Sequence, residues 1–367
     1  MTPNPLVRLG ALGQSIWIDF IERRMLDDGG ELARLMAEDG VTGVTTNPSI
    51  FDKALAAGED YAQDSERLAA AGLAPAQIVD ALMRQDVKRA ADLLRPVYER
   101  SAGVDGFVSL EVSPQLAHDA AATVAAAKSL WAAVARPNVM IKVPATQAGV
   151  VAIRALIGAG INVNATLLFS VARYLDVAHA YRDGLAARAA AGSPVGDVAS
   201  VASFFLSRID SLVDQRLAAQ PADVAAALRG QAAIASARLA YRALERELAA
   251  PAWAELAAAG ARPQRLLWAS TSTKDPRYSD VRYVEALIGP HTVNTLPRDT
   301  LAAYRDHGEP ALRLTEHVDS SAALVTRLKA LDVDLDDIAA ELEADGVRKF
   351  ADSERALHQR VTVAVAH

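Results

Sequence analysis

The chain of 367 residues contains no cysteine. That absence excludes disulfides, thiolate catalysis and cysteine-based zinc sites together, and it fits a cytoplasmic protein. Lysine is also scarce, at 7 residues against 31 arginines. No apolar stretch approaches the roughly 20 residues that cross a bilayer. The opening MTPNPLVRLGALGQ lacks the charged and apolar regions of a secretion signal. Several motifs are missing as well. There is no G-x-G-x-x-G after the first strand-like run, no P-loop lysine, no G-x-S-x-G elbow and no H-E-x-x-H. The seven histidines (His118, His179, His291, His307, His317, His358, His367) include no i, i+4 pair, so no metal is expected; His317, between Glu316 and Asp319, is read as a surface residue. The acidic run 331–346 has neither the spacing nor the central glycine of a calcium loop. It reads as a helix start, where carboxylates favour the positive end of the dipole. A net charge of −7 and a pI near 5.6 argue against nucleic acid as a partner. An anionic ligand must then be held by a local cluster of donors.

What is present is enough to fold: 51% hydrophobic and 23% charged residues describe a globular chain with ample core. Eight short apolar or β-branched runs occur, at 15–20, 40–46, 105–112, 138–144, 161–169, 198–206, 264–271 and 291–297. Alanine-rich segments with helical periodicity lie between them. Strand–helix alternation predicts a parallel sheet, and eight units close a (β/α)8 TIM barrel. An open doubly wound sheet is the alternative, weakened by the missing glycine fingerprint. Two helices are expected at about 52–70 and 76–100, at least two between 206 and 264, and three after the eighth run, forming a helical C-terminal extension. No linker or repeat divides the chain, so residues 1–367 are expected to form one domain.

Within the fourth run, NVMIKVPAT, stands Lys142. A lysine in water is protonated at neutral pH, whereas apolar burial favours the neutral amine that attacks carbonyls. A lysine whose head snorkels from a strand end is the simpler explanation for one such residue. The neighbours change the balance. Functional groups of a (β/α)8 barrel project from the C-terminal ends of its strands. Asp19 falls near the end of the first run, Asn47 after the second and Glu111 in the third. Asn164 and Thr166 lie on the fifth, Ser203 on the sixth and Ser270 at the end of the seventh. Each has a structural explanation of its own: Asn47 before Pro48 can make a turn, and Thr166 or Glu111 can cap a helix. Six strand ends offering polar groups around one lysine are harder to assign to turn chemistry.

The segments VTTNPSIF (44–51), SLEVSP (109–114), IKVPAT (141–146), NVNATLLFS (162–170) and WASTSTKDPRYSDVRYVEALIGPHTVNTLP (268–297) resemble those of transaldolases. These belong to the class I Schiff-base aldolase superfamily, and the long late segment is similar to the bacterial subgroup of about this length. The resemblance implies a cofactor-free enzyme of the pentose phosphate pathway. It would move a dihydroxyacetone unit from sedoheptulose 7-phosphate to glyceraldehyde 3-phosphate. It further implies that Lys142 forms the imine and that Asp19 is the general acid/base at the C4 hydroxyl. Glu111 and Thr166 would hold a proton-shuttling water. Asn47 and Asn164 would bind the dihydroxyacetone hydroxyls, Ser203 and Phe205 would line the pocket, and Arg208 and Ser270 would bind phosphate. Many relatives carry a second arginine two residues after that serine. Here Ser272 stands in its place, and Lys274 is expected to supply the second charge. Two rivals remain, a Schiff-base aldolase releasing free dihydroxyacetone and a silent sugar-phosphate-binding barrel. Monomer and homodimer are both open.

Overall fold

The computed structural model describes residues 4–56 and 59–365. Eight strands close a parallel barrel in sequence order. They are β1 (Gln14–Ile18), β2 (Val41–Val44), β3 (Phe107–Glu111), β4 (Val139–Pro144), β5 (Val163–Leu168), β6 (Ser200–Phe205), β7 (Arg265–Ala269) and β8 (Thr292–Leu296). Seven lie within the runs read from the sequence and β1 starts one residue before its run, at Gln14; β8 pairs with β1 from Thr292 opposite Gln14 to Leu296 opposite Ile18. Residues of β3, β4, β5, β6 and β8 are buried throughout. That explains their continuous β-branched and apolar character, because a sheet covered on both faces has no solvent side to alternate with.

The helices are α1 (Pro5–Gly10), α2 (Glu31–Glu38), α3 (Pro48–Ala56), α4 (Glu59–Ala70), α5 (Pro75–Arg100), α6 (Ala120–Val134), α7 (Gln147–Gly158) and α8 (Val171–Ala190). They continue with α9 (Ser207–Leu217), α10 (Ala222–Leu228), α11 (Ala232–Ala249), α12 (Pro251–Ala258), α13 (Arg282–Glu285), α14 (Arg298–His307), α15 (Val318–Lys329) and α16 (Leu335–Val365). The helical segment expected at about 52–70 is two helices, α3 and α4, and the first starts earlier, at Pro48. Asn47 provides the reason: its Oδ1 accepts from Ile50 N at 3.0 Å, capping a helix that begins at proline. The interval 206–264 holds four helices. The acidic run does open a helix, with Asp336 and Asp337 in the first turn of α16. Among the described residues no helix is long and apolar enough to cross a membrane.

Within the barrel a tryptophan fills the space between neighbouring strands. Gly43 of β2 leaves room for the indole of Trp17, since a Cβ there would lie 2.5 Å from the ring. Trp17 Nε1 in turn donates to Asp105 at 2.7 Å. A buried donor is thereby satisfied toward the amino-terminal end, and in this fold the opposite, carboxyl-terminal end of the strands carries the chemistry.

Across that opposite end runs α16. Its Ser353 hydroxyl meets Ser49 of α3 at 2.7 Å, and Glu354 accepts from Ser113, just past β3, at 2.9 Å. Arg173 of α8 donates to Glu343 at 3.2 Å and Arg360 to Asp52 of α3 at 2.9 Å. Gly346 sits where a Cβ would lie 2.8 Å from Leu167 of β5, so the helix backbone approaches the barrel rim closely. The C-terminal extension is therefore a strap tied to segments that follow β2, β3 and β5.

Candidate active site

Parallel pairing places Glu111 of β3 opposite Lys142 of β4, and Lys142 opposite Asn164 of β5. Residues paired in this way share one face of the sheet, so the three side chains form a row. Lys142 is 4% exposed and Glu111 6%. The Lys142 Nζ donates to the main-chain oxygen of Thr46 at 2.9 Å and stands 3.4 Å from Glu111 Oε2. Its other close neighbour is the ring of Phe350 from α16, whose centroid lies 5.5 Å away. An amine in this position has one fixed acceptor, one carboxylate and an aromatic cover that keeps water off.

The two carboxyls are perturbed in the same direction by the same cause. Burial pushes Glu111 up to about 7, against the pull of Lys142, with Glu354 and Asp19 adding to the rise. Burial likewise raises Asp19, opposed by Lys142, by the hydrogen bond from Thr45 and by Arg208. Thr45 Oγ1 donates to Asp19 Oδ1 at 2.8 Å and lies 2.7 Å from the Thr295 hydroxyl of β8. Three strands therefore converge on one carboxylate. Among the described residues neither Glu111 oxygen nor the hydroxyl of Thr166 has a hydrogen-bond partner, although all three atoms are buried. Buried polar atoms without protein partners are available to water or substrate.

Asn164 is held at both ends. Its Nδ2 donates to the Ser109 hydroxyl at 2.9 Å, and its Oδ1 accepts from Ser203 Oγ at 2.7 Å. The amide orientation follows from that network, and one Nδ2 proton remains. Thr166 lies beside a register shift in β5, where Leu167 takes the left-handed conformation with φ 63°. Backbone strain of this kind persists where the surroundings enforce it. Ser270 is a second such residue, with φ 56°, immediately past β7.

Ser270 Oγ lies 2.8 Å from Ser207 Oγ, which opens α9, and Arg208 is the next residue. Arg208 stacks 5.0 Å from the Phe205 ring and 6.0 Å from Phe350, and its buried Nη1 has no partner among the described residues. Burial pushes this guanidinium down, with Asp345 and Asp19 opposing. A helix start bearing an underused guanidinium and two hydroxyls is suited to an anion. Lys274 is placed differently. It is exposed, donates to Ser272 Oγ at 2.6 Å, and borders a surface cavity of 470 Å³ with Asp210, Asp214 and Asp275.

Expected residues thus fall into a buried group (Glu111, Lys142, Asn164, Thr166, Ser203, Phe205) with the half-buried Asp19 beside it, a pair at the start of α9 (Arg208, Ser270) and two at the margin. Asn47 at the margin spends its Oδ1 on a helix cap, and Lys274 lies in the solvent-exposed loop. Ser109, Thr295, Phe350 and Glu354 were not expected. Ser109 was accessible to period-two reasoning, being two residues before Glu111 on the same strand face. Phe350 and Glu354 carry no local signal, since only tertiary packing brings α16 to the barrel mouth. Among the described residues no cluster of three or more histidine or carboxylate side chains is arranged to hold a metal.

The family described as Transaldolase/Fructose-6-phosphate aldolase matches residues 16–361. A transaldolase of Parafrankia sp. (strain EAN1pec) is 50% identical over 351 residues, covering 95% of each chain. One of Thiobacillus denitrificans is 51% identical over 346 residues, covering 94% of this chain and 96% of its own. One of Thermobifida fusca is 46% identical over 364 residues, covering 99% of each. The family match takes in β1 from Ile16, the other seven strands whole and α16 as far as Val361, so the chain belongs to the transaldolase/fructose-6-phosphate aldolase family.

Proposed function

We propose that this enzyme is a transaldolase of the non-oxidative pentose phosphate pathway. It moves a dihydroxyacetone unit from sedoheptulose 7-phosphate to glyceraldehyde 3-phosphate, giving erythrose 4-phosphate and fructose 6-phosphate. The observation that carries this reading is Lys142, buried between Thr46 O, Glu111 and Phe350. Its neutral amine attacks the ketose carbonyl, and loss of water gives an iminium that serves as electron sink when the C3–C4 bond breaks. Asp19, across the barrel, takes the C4 hydroxyl proton. Glu111, with a carboxyl near neutrality, and Thr166 hold the water that shuttles protons during imine formation. Asn164 and Asn47 bind the hydroxyls of the three-carbon unit, while Ser203 and Phe205 line its pocket. Arg208 and Ser270 hold the phosphate, with Lys274 supplying a second charge when the loop after β7 folds in.

Transfer requires the enamine to outlast aldehyde release without being protonated by water. The aromatic cover of Phe350 favours transfer over release of free dihydroxyacetone. The test is borohydride reduction with fructose 6-phosphate, followed by peptide mass mapping. A reduced three-carbon adduct on the Lys142 peptide, lost in Lys142→Ala, supports the reading. No adduct on folded protein would leave a silent sugar-phosphate-binding barrel.

A further inference from the structure

Outside the barrel mouth, four arginines converge on a cavity that takes no part in the reaction above. The cavity has a volume of 610 Å³ and is lined by Arg229, Arg238, Arg282 and Arg327, together with Gln231 and Ser320. Among the described residues no carboxylate side chain lines it. Arg238 Nη2 donates to Arg313 O at 3.3 Å, and Arg282 Nη2 donates to Gly230 O. These acceptors are neutral carbonyls, and the buried Nε atoms of Arg238 and Arg282 have no partner among the described residues. The carboxylates whose fields reach the cluster stand outside the lining: Glu316 acts on Arg238, Asp210 on Arg282 and Asp275 on Arg229.

Four guanidiniums around one space repel each other, and partial burial removes the water that would screen them. In a chain of net charge −7 the concentration of unneutralised cations is local and specific. Planar guanidiniums with free N–H groups match phosphate oxygens. Two helix starts add to the positive field: Gln231 precedes the 18-residue α11, and Ser320 lies in the first turn of the 12-residue α15. The volume is within the ~300–1,000 Å³ usual for small-molecule sites. Arg282 also stacks 4.7 Å from the Tyr278 ring, and Tyr278 donates to Asp214 at 2.8 Å. The cavity wall therefore connects with the loop that follows β7.

We propose that this cavity is a second ligand site, remote from Lys142, that binds a small anion carrying two or more phosphate groups. The assignment does not depend on the chemistry at Lys142. Its test is calorimetric titration of the full chain at low ionic strength, in an Arg208→Ala background that removes the guanidinium at the barrel mouth. Tripolyphosphate and fructose 1,6-bisphosphate are the probes, and their relative affinities separate a contiguous polyphosphate from two spaced phosphates. One equivalent of either should bind. Arg327→Glu is an exposed change that spares the fold and should weaken binding at least ~10-fold, from the loss of one charged hydrogen bond. Arg238→Gln should do the same, and the remote exposed change Arg34→Glu should not. Absence of binding, or equal weakening by Arg34→Glu, overturns the proposal. So does a dimer that Arg327→Glu splits while neither probe binds, because the cavity would then be a subunit interface.

Discussion

Replacing Glu111 by glutamine removes the carboxyl to which proton transfer beside Lys142 is assigned above, and its consequence for stability can be worked out. Burial holds the Glu111 carboxyl at about 7, against 4.5 for an ordinary glutamate. A raised native value means that the folded protein binds the proton more tightly than the unfolded chain. The stabilising contribution is therefore complete below the unfolded value and is lost as pH rises through the folded one. Linkage with these two values gives a loss of about 2 kcal/mol between roughly pH 5.5 and pH 8.5. Glutamine does not titrate. The stability of Glu111→Gln relative to wild type should thus improve by about 2 kcal/mol over that interval, read from urea unfolding at both ends. In the same variant kcat should fall ~10²–10⁴-fold, the range for a lost acid/base group. The limb of kcat/KM near neutrality should vanish with it. A stability difference that does not change with pH would refute the raised carboxyl. A limb that survives in Glu111→Gln would assign it to another group, with Asp19 the first to examine.

Arg208→Ala should raise KM for phosphorylated donors by ~10–150-fold, the worth of one charged hydrogen bond, with a smaller effect on kcat. Lys274→Ala should raise the same KM if the loop lysine completes the clamp, and an unchanged KM removes it from the site. Phe350→Ala should cost about 3–5 kcal/mol in thermal unfolding if the strap does not collapse onto the gap. It should also increase free dihydroxyacetone formed per turnover, measured with a coupled reductase. Apart from the candidate site residues, Asp86 is fully buried and pairs with Arg23 at 3.0 Å while accepting from Tyr61 at 2.7 Å. Asp86→Ala leaves Arg23 with Asp64, at 2.7 Å, as its remaining carboxylate and the Tyr61 hydroxyl without its acceptor, and should cost about 1–3 kcal/mol in urea unfolding without changing KM.

The barrel was legible because each strand is a short β-branched run and each crossover a helical one, so period and order alone fixed eight units. Helix boundaries were harder. Asn47 looks like turn material in sequence, and its capping bond to Ile50 N starts α3 earlier than periodicity suggests. Glu111, Lys142 and Asn164 could be singled out because parallel pairing brings the C-terminal ends of neighbouring strands together whatever their separation along the chain. What could not be read is what arrives from elsewhere. Phe350 is one of only seven phenylalanines and lies on a helix whose apolar positions look like ordinary packing. Nothing local says that it covers a lysine 208 positions earlier. The arginine cavity is equally silent, since Arg229, Arg238, Arg282 and Arg327 belong to segments that meet only when the end of α10 packs with α11, α13 and α15.

The division of labour between barrel and strap bears on why transfer can prevail over release. The strands supply the groups to which the reaction is assigned: Lys142, Glu111 and the Asn164 network are placed by register. They do not supply dryness. That comes from α16, through Phe350 over Lys142 and Arg208 and through Glu354, whose charge helps to keep the Glu111 proton in place. The attachments of α16 to Ser49, Ser113 and Arg173 are hydrogen bonds and an ion pair between partly exposed groups, each worth little alone. What holds the helix over the mouth is mainly apolar packing, since Ile338, Leu342, Phe350, Leu357 and Val361 are all buried in the core. With the reacting groups on the strands and the cover on α16, reactivity and water exclusion would be separable. Changes confined to the strap's packing should alter how often the three-carbon unit is lost to water more than how fast the imine forms.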